Sequence, residues 1–277
     1  MNKNYFEVLR PGINSTFQDN GRNNFYHIGI PFSGAMDNRN FLLANTISNN
    51  EINNPVLEFA YQGPKLKYIG ENISINVTGD VNFKIIRKNK NLEFSCYENI
   101  ILENNDCLDI LSTNRSVYGY LSIGGTFEVD YYLNSCSTNT KAKIGANSGE
   151  KLETGQIIQL KNIKKILPKN KIEYLNSKIE NIRIIKGPHF DYFSKDAIDS
   201  FLSDEFNVTK LSDRMGIRLK GPKISNIKNT NIKSEGLVKG VIQITADGDP
   251  IIMLSDHGTI GGYPKIGVVI SADYDKL

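Results

Sequence analysis

The stretch Ile73–Val77, ISINV, alternates apolar and polar side chains. Successive side chains of a β-strand point to opposite faces, so this alternation predicts a half-buried strand. Similar runs predict further strands at Phe83–Ile85, Ser116–Ile123, Gln156–Leu160, Ile182–Ile185, Gly240–Ile244 and Ile251–Leu254. Turn residues separate these runs at spacings typical of sandwiches and barrels, and no regular helices alternate with them. The sequence therefore predicts an all-β fold and argues against a doubly wound α/β fold.

Two short helices are expected among the strands. Asp37 is suited to cap a segment in which Phe41, Ala44 and Ile47 recur at helical spacing. Ser194 is suited to cap Lys195–Leu202, whose apolar residues share one face. We expect both helices to plug barrel ends or to cover a sheet, so the fold class is all-β with minor α.

A polar segment divides the chain. Residues 161–181 are rich in Lys and Asn and include Pro168, which favours a solvated linker over a phosphate-binding patch. The segment separates residues 1–165 from residues 178–277, and each part is large enough for a domain. We predict two β-barrel regions with these bounds, between which strands can be exchanged.

Composition limits the classes of partner. The 277 residues are 39% hydrophobic and 23% charged, with a net charge of +3, too small to indicate nucleic-acid binding. Cys96, Cys107 and Cys136 have no metal-ligand spacing, and an odd count argues against a disulfide framework. The first residues lack the apolar stretch expected of a signal peptide, and no window approaches the roughly 18 apolar residues expected of a membrane span. We predict a cytoplasmic protein without a metal site, a nucleic-acid partner or a membrane partner.

Two N-terminal clusters carry candidate site residues. Asp19 and Arg22 flank Gly21, where the guanidinium could clamp an anion while Asp19 orients it, or the two could simply pair. Ser33-Gly34 leads to Asp37, where the start of a helix would present free backbone N–H groups to an anion. The alternative for Asp37 is a capping role alone, and the two roles are compatible.

A third cluster surrounds Gly216. In a strand, Arg214 and Arg218 would share a face, and two guanidinium groups there repel unless an anion lies between them. We therefore predict an anion site. The alternative is an internal ion pair, such as Asp213 with Arg214.

The C-terminal cluster combines Asp256, His257 and Tyr263 with the glycine-rich run Gly258–Gly262. His257 could shuttle a proton, although a lone loop histidine is more often a bystander. The run lacks the Gly-Lys-Ser/Thr ending of a phosphate-binding P-loop and the strand-to-helix setting of a dinucleotide fingerprint. From the residues alone, the chain has polar loops suited to anions but no defined reaction.

The loops, taken in order, resemble the biotin-dependent carboxyltransferase-like family, also called allophanate hydrolase subunit 2-like. The likeness covers nearly the whole chain and is carried by Val8–Gly12, Thr16–Arg22, Gly29–Asp37, Ala44–Asn45, Leu57–Glu58, Gly124–Gly125, Ser135–Thr138, Asp213–Leu219, Ser234–Gly236, Gly240–Gln243, Asp247–Ile251 and Asp256–Pro264.

The resemblance implies a fold of two cyclophilin-like β-barrels. It also implies an enzyme component, closest in kind to the C subunit of the ATP-dependent 5-oxoprolinase, which works beside a related B-like subunit of that enzyme and a lactam-utilisation-like A subunit. The substrate would be the small molecule 5-oxoproline, opened to L-glutamate, and ATP would be the cofactor, bound here or by a partner protein. Such a component would be inactive alone.

On this resemblance we assign candidate roles. The expected catalytic residues are Asp19, Arg22, Asp256 and Tyr263. The expected substrate- or anion-binding residues are Gln18, Ser33, Gly34, Asp37, Arg214, Arg218, Gln243, Thr259, Gly261 and Gly262. Two alternatives stay open: a biotin-dependent carboxyltransferase component for urea or another amide, with biotin as its cofactor, and a non-catalytic regulator of a kinase inhibitor.

Overall fold

The computed structural model of the chain describes residues 4–166, 168–173, 181–228 and 231–277. These residues form two compact units. The first takes the described part of Met1–Arg22 and Asp37–Asn176, and the second that of Asn23–Met36 and Ser177–Leu277. The segment Asn23–Met36 therefore belongs with the C-terminal part of the chain.

The first unit is built from antiparallel strands in two sheets. The strands are β1 (Tyr5–Arg10), β2 (Thr16–Gln18), β3 (Val56–Ala60), β4 (Lys65–Ile69), β5 (Ile73–Thr78), β6 (Val81–Arg87), β7 (Lys90–Glu93), β8 (Ile100–Leu102), β9 (Cys107–Thr113), β10 (Tyr118–Ile123), β11 (Thr126–Phe127) and β12 (Ile157–Lys161). One sheet has the order β11-β12-β1-β4-β9-β6-β7, and the other β2-β3-β10-β5-β8. Their apolar faces supply one core, which includes Phe6, Phe59, Leu66, Ile75 and Leu121.

Helix α1 (Asn38–Ile47) contacts β5, β10 and β3 of the five-stranded sheet. As predicted, Asp37 caps it by accepting a hydrogen bond from the Asn40 backbone N–H at 2.8 Å. The prediction that β5 is half-buried is wrong, because every residue of that strand is buried. Its polar side chains bond to the helix: Asn76 donates to the Ala44 carbonyl at 3.0 Å and Thr78 to the Asn40 carbonyl at 2.8 Å. The alternation thus separates an apolar face from a hydrogen-bonding face that the helix covers.

The second unit has a six-stranded antiparallel sheet and a two-stranded ribbon. Its strands are β13 (Ile184–Lys186), β14 (Asn207–Val208), β15 (Gly216–Lys220), β16 (Glu235–Gly236), β17 (Val241–Ile244), β18 (Pro250–Met253), β19 (Ile260–Gly261) and β20 (Lys265–Val269). The sheet order is β13-β20-β17-β18-β15-β14, and β16 pairs with β19. Helix α2 (Lys195–Ser203) is capped by Ser194, as predicted, and packs Ile198 and Phe201 against the unit's core.

The all-β expectation with few helices is confirmed. Each of the three larger sheets ends in two different strands among the described residues, so no closed barrel is observed there, and the cyclophilin-like barrels stay a prediction. The predicted linker lies partly outside the described residues. Its described part includes Ile172, whose backbone N–H bonds to the Tyr97 carbonyl of the first unit at 2.9 Å. Within the described chain, no helix is long and apolar enough to cross a membrane.

Candidate functional site

Asp19 follows β2 and is fully buried in the first unit. Its carboxylate accepts hydrogen bonds from the hydroxyls of Ser135 and Ser137, both at 2.6 Å. It also accepts the backbone N–H groups of Cys136 and Gly21, each at 2.8 Å. A buried carboxylate needs such donors to replace its lost hydration. Asp19 therefore joins its own loop to the segment around Cys136.

Arg22 holds the same segment from its other side. It is 1% exposed, and its guanidinium donates to the carbonyls of Tyr132, at 3.2 Å, and Ser137. Gly145 permits this packing, because a Cβ there would lie 2.1 Å from the Ser137 carbonyl oxygen and 2.9 Å from the guanidinium. Asp19 and Arg22 thus meet at Ser137, which composition and spacing alone did not identify.

Two further features surround this cluster. Gln18 is buried and donates from Nε2 to the Thr16 hydroxyl at 2.9 Å and the Thr138 carbonyl at 3.0 Å. The Cys136 pKa is raised well above its usual value, first by burial and then by the nearby Asp19 carboxylate. The thiol is therefore protonated at neutral pH and is not a ready nucleophile.

Asp37, besides capping α1, lies beside a buried Tyr–Glu pair. The Tyr120 hydroxyl accepts the Asp37 backbone N–H at 2.8 Å and donates to the Glu58 carboxylate at 2.8 Å. Burial and then the Glu58 charge raise the pKa of Tyr120 well above its usual value. Neither Tyr120 nor Glu58 was predicted as a site residue, although Glu58 lies in one of the motifs that resemble the family.

In the second unit, Arg214 forms a buried ion pair with Asp256. Arg214 Nε lies 2.8 Å from Oδ2 of Asp256, and Nη2 lies 3.1 Å from Oδ1. Nη2 also donates to the Gly34 carbonyl at 2.7 Å, and the Ser33 backbone N–H bonds to the Ser255 carbonyl at 3.0 Å. Four predicted site residues, Ser33, Gly34, Arg214 and Asp256, therefore lie together.

The strand predicted to carry both Arg214 and Arg218 begins only at Gly216, so Arg214 lies in the preceding turn and that prediction is wrong. The Arg214 side chain is buried and held by Asp256, whereas Arg218 is exposed. Strand alternation therefore does not relate the two residues. The alternative partner considered from the sequence, Asp213, accepts the Met215 backbone N–H at 2.8 Å.

His257, next to Asp256, contacts Tyr26. The two rings stack with centroids 5.9 Å apart, and the Tyr26 hydroxyl lies 3.2 Å from Nε2. Nδ1 lies 2.7 Å from the Gly258 carbonyl, which can only accept, so Nδ1 carries the proton and Nε2 accepts from Tyr26. Burial is the main cause of the lowered pKa of His257. The ring is therefore neutral near pH 7 and lies in a defined tautomer.

The remaining predicted residues lie along the ribbon of the second unit. The Tyr263 carbonyl accepts Gln243 Nε2 at 3.1 Å, and the Gly261 backbone pairs with Glu235. The Thr259 and Gly262 carbonyls each accept a backbone N–H at 2.9 Å, from Leu237 and Ile232 respectively. The predicted residues thus form separate groups around Asp19, around Arg214 and along this ribbon, while Asp37 lies beside Tyr120 and Arg218 is exposed on β15.

Comparison with known proteins identifies similar chains. The family described as carboxyltransferase domain, subdomain A and B, matches residues 28–277. The C subunit of 5-oxoprolinase from Escherichia coli is 27% identical over 287 residues, covering 98% of this chain and 86% of that protein. Urea amidolyase of Lachancea kluyveri is 30% identical over 303 residues, covering 98% of this chain but 16% of that protein.

Solved structures agree with these matches. The urea amidolyase of K. lactis superposes with a TM-score of 0.88 at 30% identity, covering all of this chain and 18% of that one. The Kluyveromyces lactis urea carboxylase also superposes with a TM-score of 0.88, at 29% identity, and 26% of that chain is covered. This chain therefore matches one part of these larger proteins.

Proposed function

Because the chain belongs to the carboxyltransferase domain family, subdomain A and B, we propose that it is a component of a 5-oxoprolinase, which opens the lactam of 5-oxoproline to L-glutamate with ATP. The observation that carries the proposal is the extent of the match with the C subunit of 5-oxoprolinase. That match covers 98% of this chain and 86% of the Escherichia coli protein, and the Haemophilus influenzae counterpart is covered equally at 28% identity. The match with urea amidolyase leaves most of that protein without a counterpart here.

Among the described residues, the glycine-rich run near the C-terminus does not have the form of a P-loop. A phosphate-binding loop places backbone N–H groups and a lysine at the start of a helix. The glycine-rich run Gly258–Gly262 instead passes through the two-residue strand β19. Arg22 and Arg214 donate to oxygens of the protein itself. We propose that a partner protein binds the ATP.

The proposed task of this chain is to bind and orient the lactam. Catalysis of this kind depends on charged groups already held in place before the reaction. The Asp256 carboxylate fixes the guanidinium plane of Arg214, and Asp19 and Arg22 together fix the loop around Ser137. We propose Asp19, Arg22 and Asp256 as the residues that hold these loops, with Tyr263 and Arg218 as the more accessible groups near substrate.

A carboxyltransferase component for urea or another amide is the second candidate. It is favoured by the 30% identity and the TM-score of 0.88 to a urea amidolyase structure. Residues 1–277 contain no Ala-Met-Lys-Met biotin-carrier motif, so under this alternative the biotin carrier would lie outside these residues.

The test is an activity assay with defined partners. The purified chain is combined with a lactam-utilisation-like A subunit and a B-like subunit of 5-oxoprolinase, and glutamate formed from 5-oxoproline is measured with and without ATP. We expect ATP-dependent turnover from the mixture and none from this chain alone. Turnover by the isolated chain, or carboxylation of urea with a biotin carboxylase and no 5-oxoproline hydrolysis, would reject the proposal.

A further inference from the structure

Lys265, at the start of β20, is a buried cation of the second unit. The residue is 3% exposed, and its Nζ donates to Oε2 of Glu235 at 2.9 Å. Burying an ammonium group is strongly unfavourable unless a counterion and hydrogen bonds replace its hydration. The environment of Lys265 therefore requires a carboxylate at this position.

The carboxylate that pairs with Lys265 belongs to a partly exposed side chain. The Glu235 side chain is 48% exposed, although the Lys265 side chain is 4% exposed. Glu235 lies on β16, a strand of two exposed residues whose partner in the ribbon is β19. The pKa of Glu235 is lowered, first by the hydrogen bond from Lys265, so the carboxyl group is ionised at neutral pH. A buried charge is thus neutralised by a side chain that can turn into water without disturbing the core.

A second donor lies beside the same carboxylate. Gly187 brings its loop against β20, where a Cβ would lie 2.2 Å from the Lys265 carbonyl oxygen. The loop places Nδ1 of His189 3.3 Å from the Lys265 backbone N–H, so Nδ1 accepts and the proton of the neutral ring is on Nε2. Nε2 lies 3.7 Å from Oε1 of Glu235, beyond a good hydrogen bond. Lys265 and His189 therefore approach the two oxygens of one carboxylate, and Glu235 satisfies only the lysine well.

We propose that Lys265 and His189 form a binding site for a small carboxylate, which Glu235 occupies until the ligand displaces it. Exchange of one carboxylate for another keeps the buried ammonium paired, and a free ligand can move closer to His189 than the tethered glutamate does. The identification of this ligand with the carboxylate of 5-oxoproline rests on the function proposed above. The lactam ring would then lie near Gln243, the register partner of Lys265 across β17 and β20.

Binding to the purified chain is measured by calorimetry with three probes. Acetate carries only the carboxylate, 5-oxoproline carries a carboxylate and a lactam, and 2-pyrrolidinone carries the same lactam without the carboxylate. We expect 5-oxoproline to bind at least about tenfold more tightly than 2-pyrrolidinone, as the loss of a charge-assisted contact predicts.

Three variants separate a binding site from a structural ion pair. Lys265→Met is expected to weaken binding of acetate and 5-oxoproline about tenfold or more, without affecting 2-pyrrolidinone. Glu235→Gln removes the internal competitor's charge and is expected to tighten carboxylate binding about two- to fivefold. Lys220→Met is the matched control, because its ammonium, 62% exposed, pairs with Asp249 elsewhere in the same unit. It should bind every probe like the unaltered chain.

The outcomes distinguish a failure of the proposed carboxylate site from a failure of 5-oxoproline as its ligand. Lys265-dependent binding of acetate but not of 5-oxoproline would support the site and reject 5-oxoproline as its ligand. The site itself is rejected if neither the unaltered chain nor Glu235→Gln binds a carboxylate, or if Glu235→Gln weakens the binding. Glu235→Gln keeps Lys265 and so tests the proposal even if Lys265→Met fails to fold.

Discussion

Arg214 and Asp256 lie 42 residues apart in the chain and meet in a buried two-point ion pair, with distances of 2.8 Å and 3.1 Å. This geometry requires the planar guanidinium, because an ammonium group cannot make both contacts at once. Arg214→Lys should therefore lower the free energy of unfolding by about 1.5–3 kcal/mol, the contribution of hydrogen bonds to charged groups. Chemical denaturation of the whole chain measures this decrease in the free energy of unfolding.

Arg218→Lys serves as the control for the stability measurement alone, because Arg218 is exposed and the change should leave the free energy of unfolding nearly unaltered. The activity of the assembled complex adds a second readout. Normal activity at low temperature with reduced stability identifies Arg214 as a scaffold residue, whereas a ten- to hundredfold loss of turnover, about 1.4–2.7 kcal/mol, supports the anion site expected from the sequence. Unchanged stability would contradict the role of the ion pair.

Asp19→Asn should destabilise the first unit. The carboxylate accepts four hydrogen bonds, and an amide replaces one accepting oxygen by an NH₂ group that faces other donors. Each buried polar group left without a partner costs about 1–3 kcal/mol, so we expect a loss of at least about 2 kcal/mol. The same substitution at exposed Asp130 is the control and should change the free energy of unfolding by less than about 0.5 kcal/mol. Equal stability of the two variants would show that the hydrogen bonds around Asp19 contribute little.

His257 should make the second unit less stable in mild acid. Its pKa is lowered in the folded chain, so the unfolded chain binds the proton more readily. The stabilisation is complete above the ordinary histidine pKa of about 6.5 and is lost as the pH falls through the lower pKa of the folded state. We expect the free energy of unfolding to decrease from pH 7 to pH 5, and His257→Gln to reduce that slope. His27→Gln, at an exposed position, is the control, and an equal slope in all three proteins would refute the assignment.

Asp273 should make the second unit less stable as the pH falls below the ordinary aspartate pKa of about 4. Its side chain is buried, and Arg183 donates to it from the backbone N–H at 2.8 Å, Nε at 3.0 Å and Nη2 at 2.7 Å. These bonds lower its pKa, so its stabilisation is present above the ordinary aspartate pKa and is lost as the pH falls through the folded value. Asp273→Asn should lower the melting temperature at pH 7 and flatten its dependence on pH below about 4. Asp199→Asn, on the exposed face of α2, should keep the original profile.

Local patterns were sufficient to predict part of the secondary structure. Alternation located β5, β10, β12, β17 and β18 within a few residues, since side-chain direction in a strand depends only on neighbouring residues. The caps of both helices were likewise predicted, because Asp37 and Ser194 each bond to a backbone N–H three residues away. The order of the family motifs was sufficient to predict the family, which residues 28–277 confirm.

The partners of the charged side chains were decided by the tertiary structure. Asp19 meets Ser137 across 118 residues, and Lys265 meets the ring of His189 across 76. Sequence spacing predicted that Arg214 would share a strand with Arg218, but the strand begins after Arg214, which pairs with Asp256. Sheet order and strand register bring such residues together. Both are set by the packing of many strands together and not by neighbouring residues alone. The sequence by itself therefore determined several strands, both helix caps and the family, whereas long-range strand pairing determined which charges are buried and what they contact.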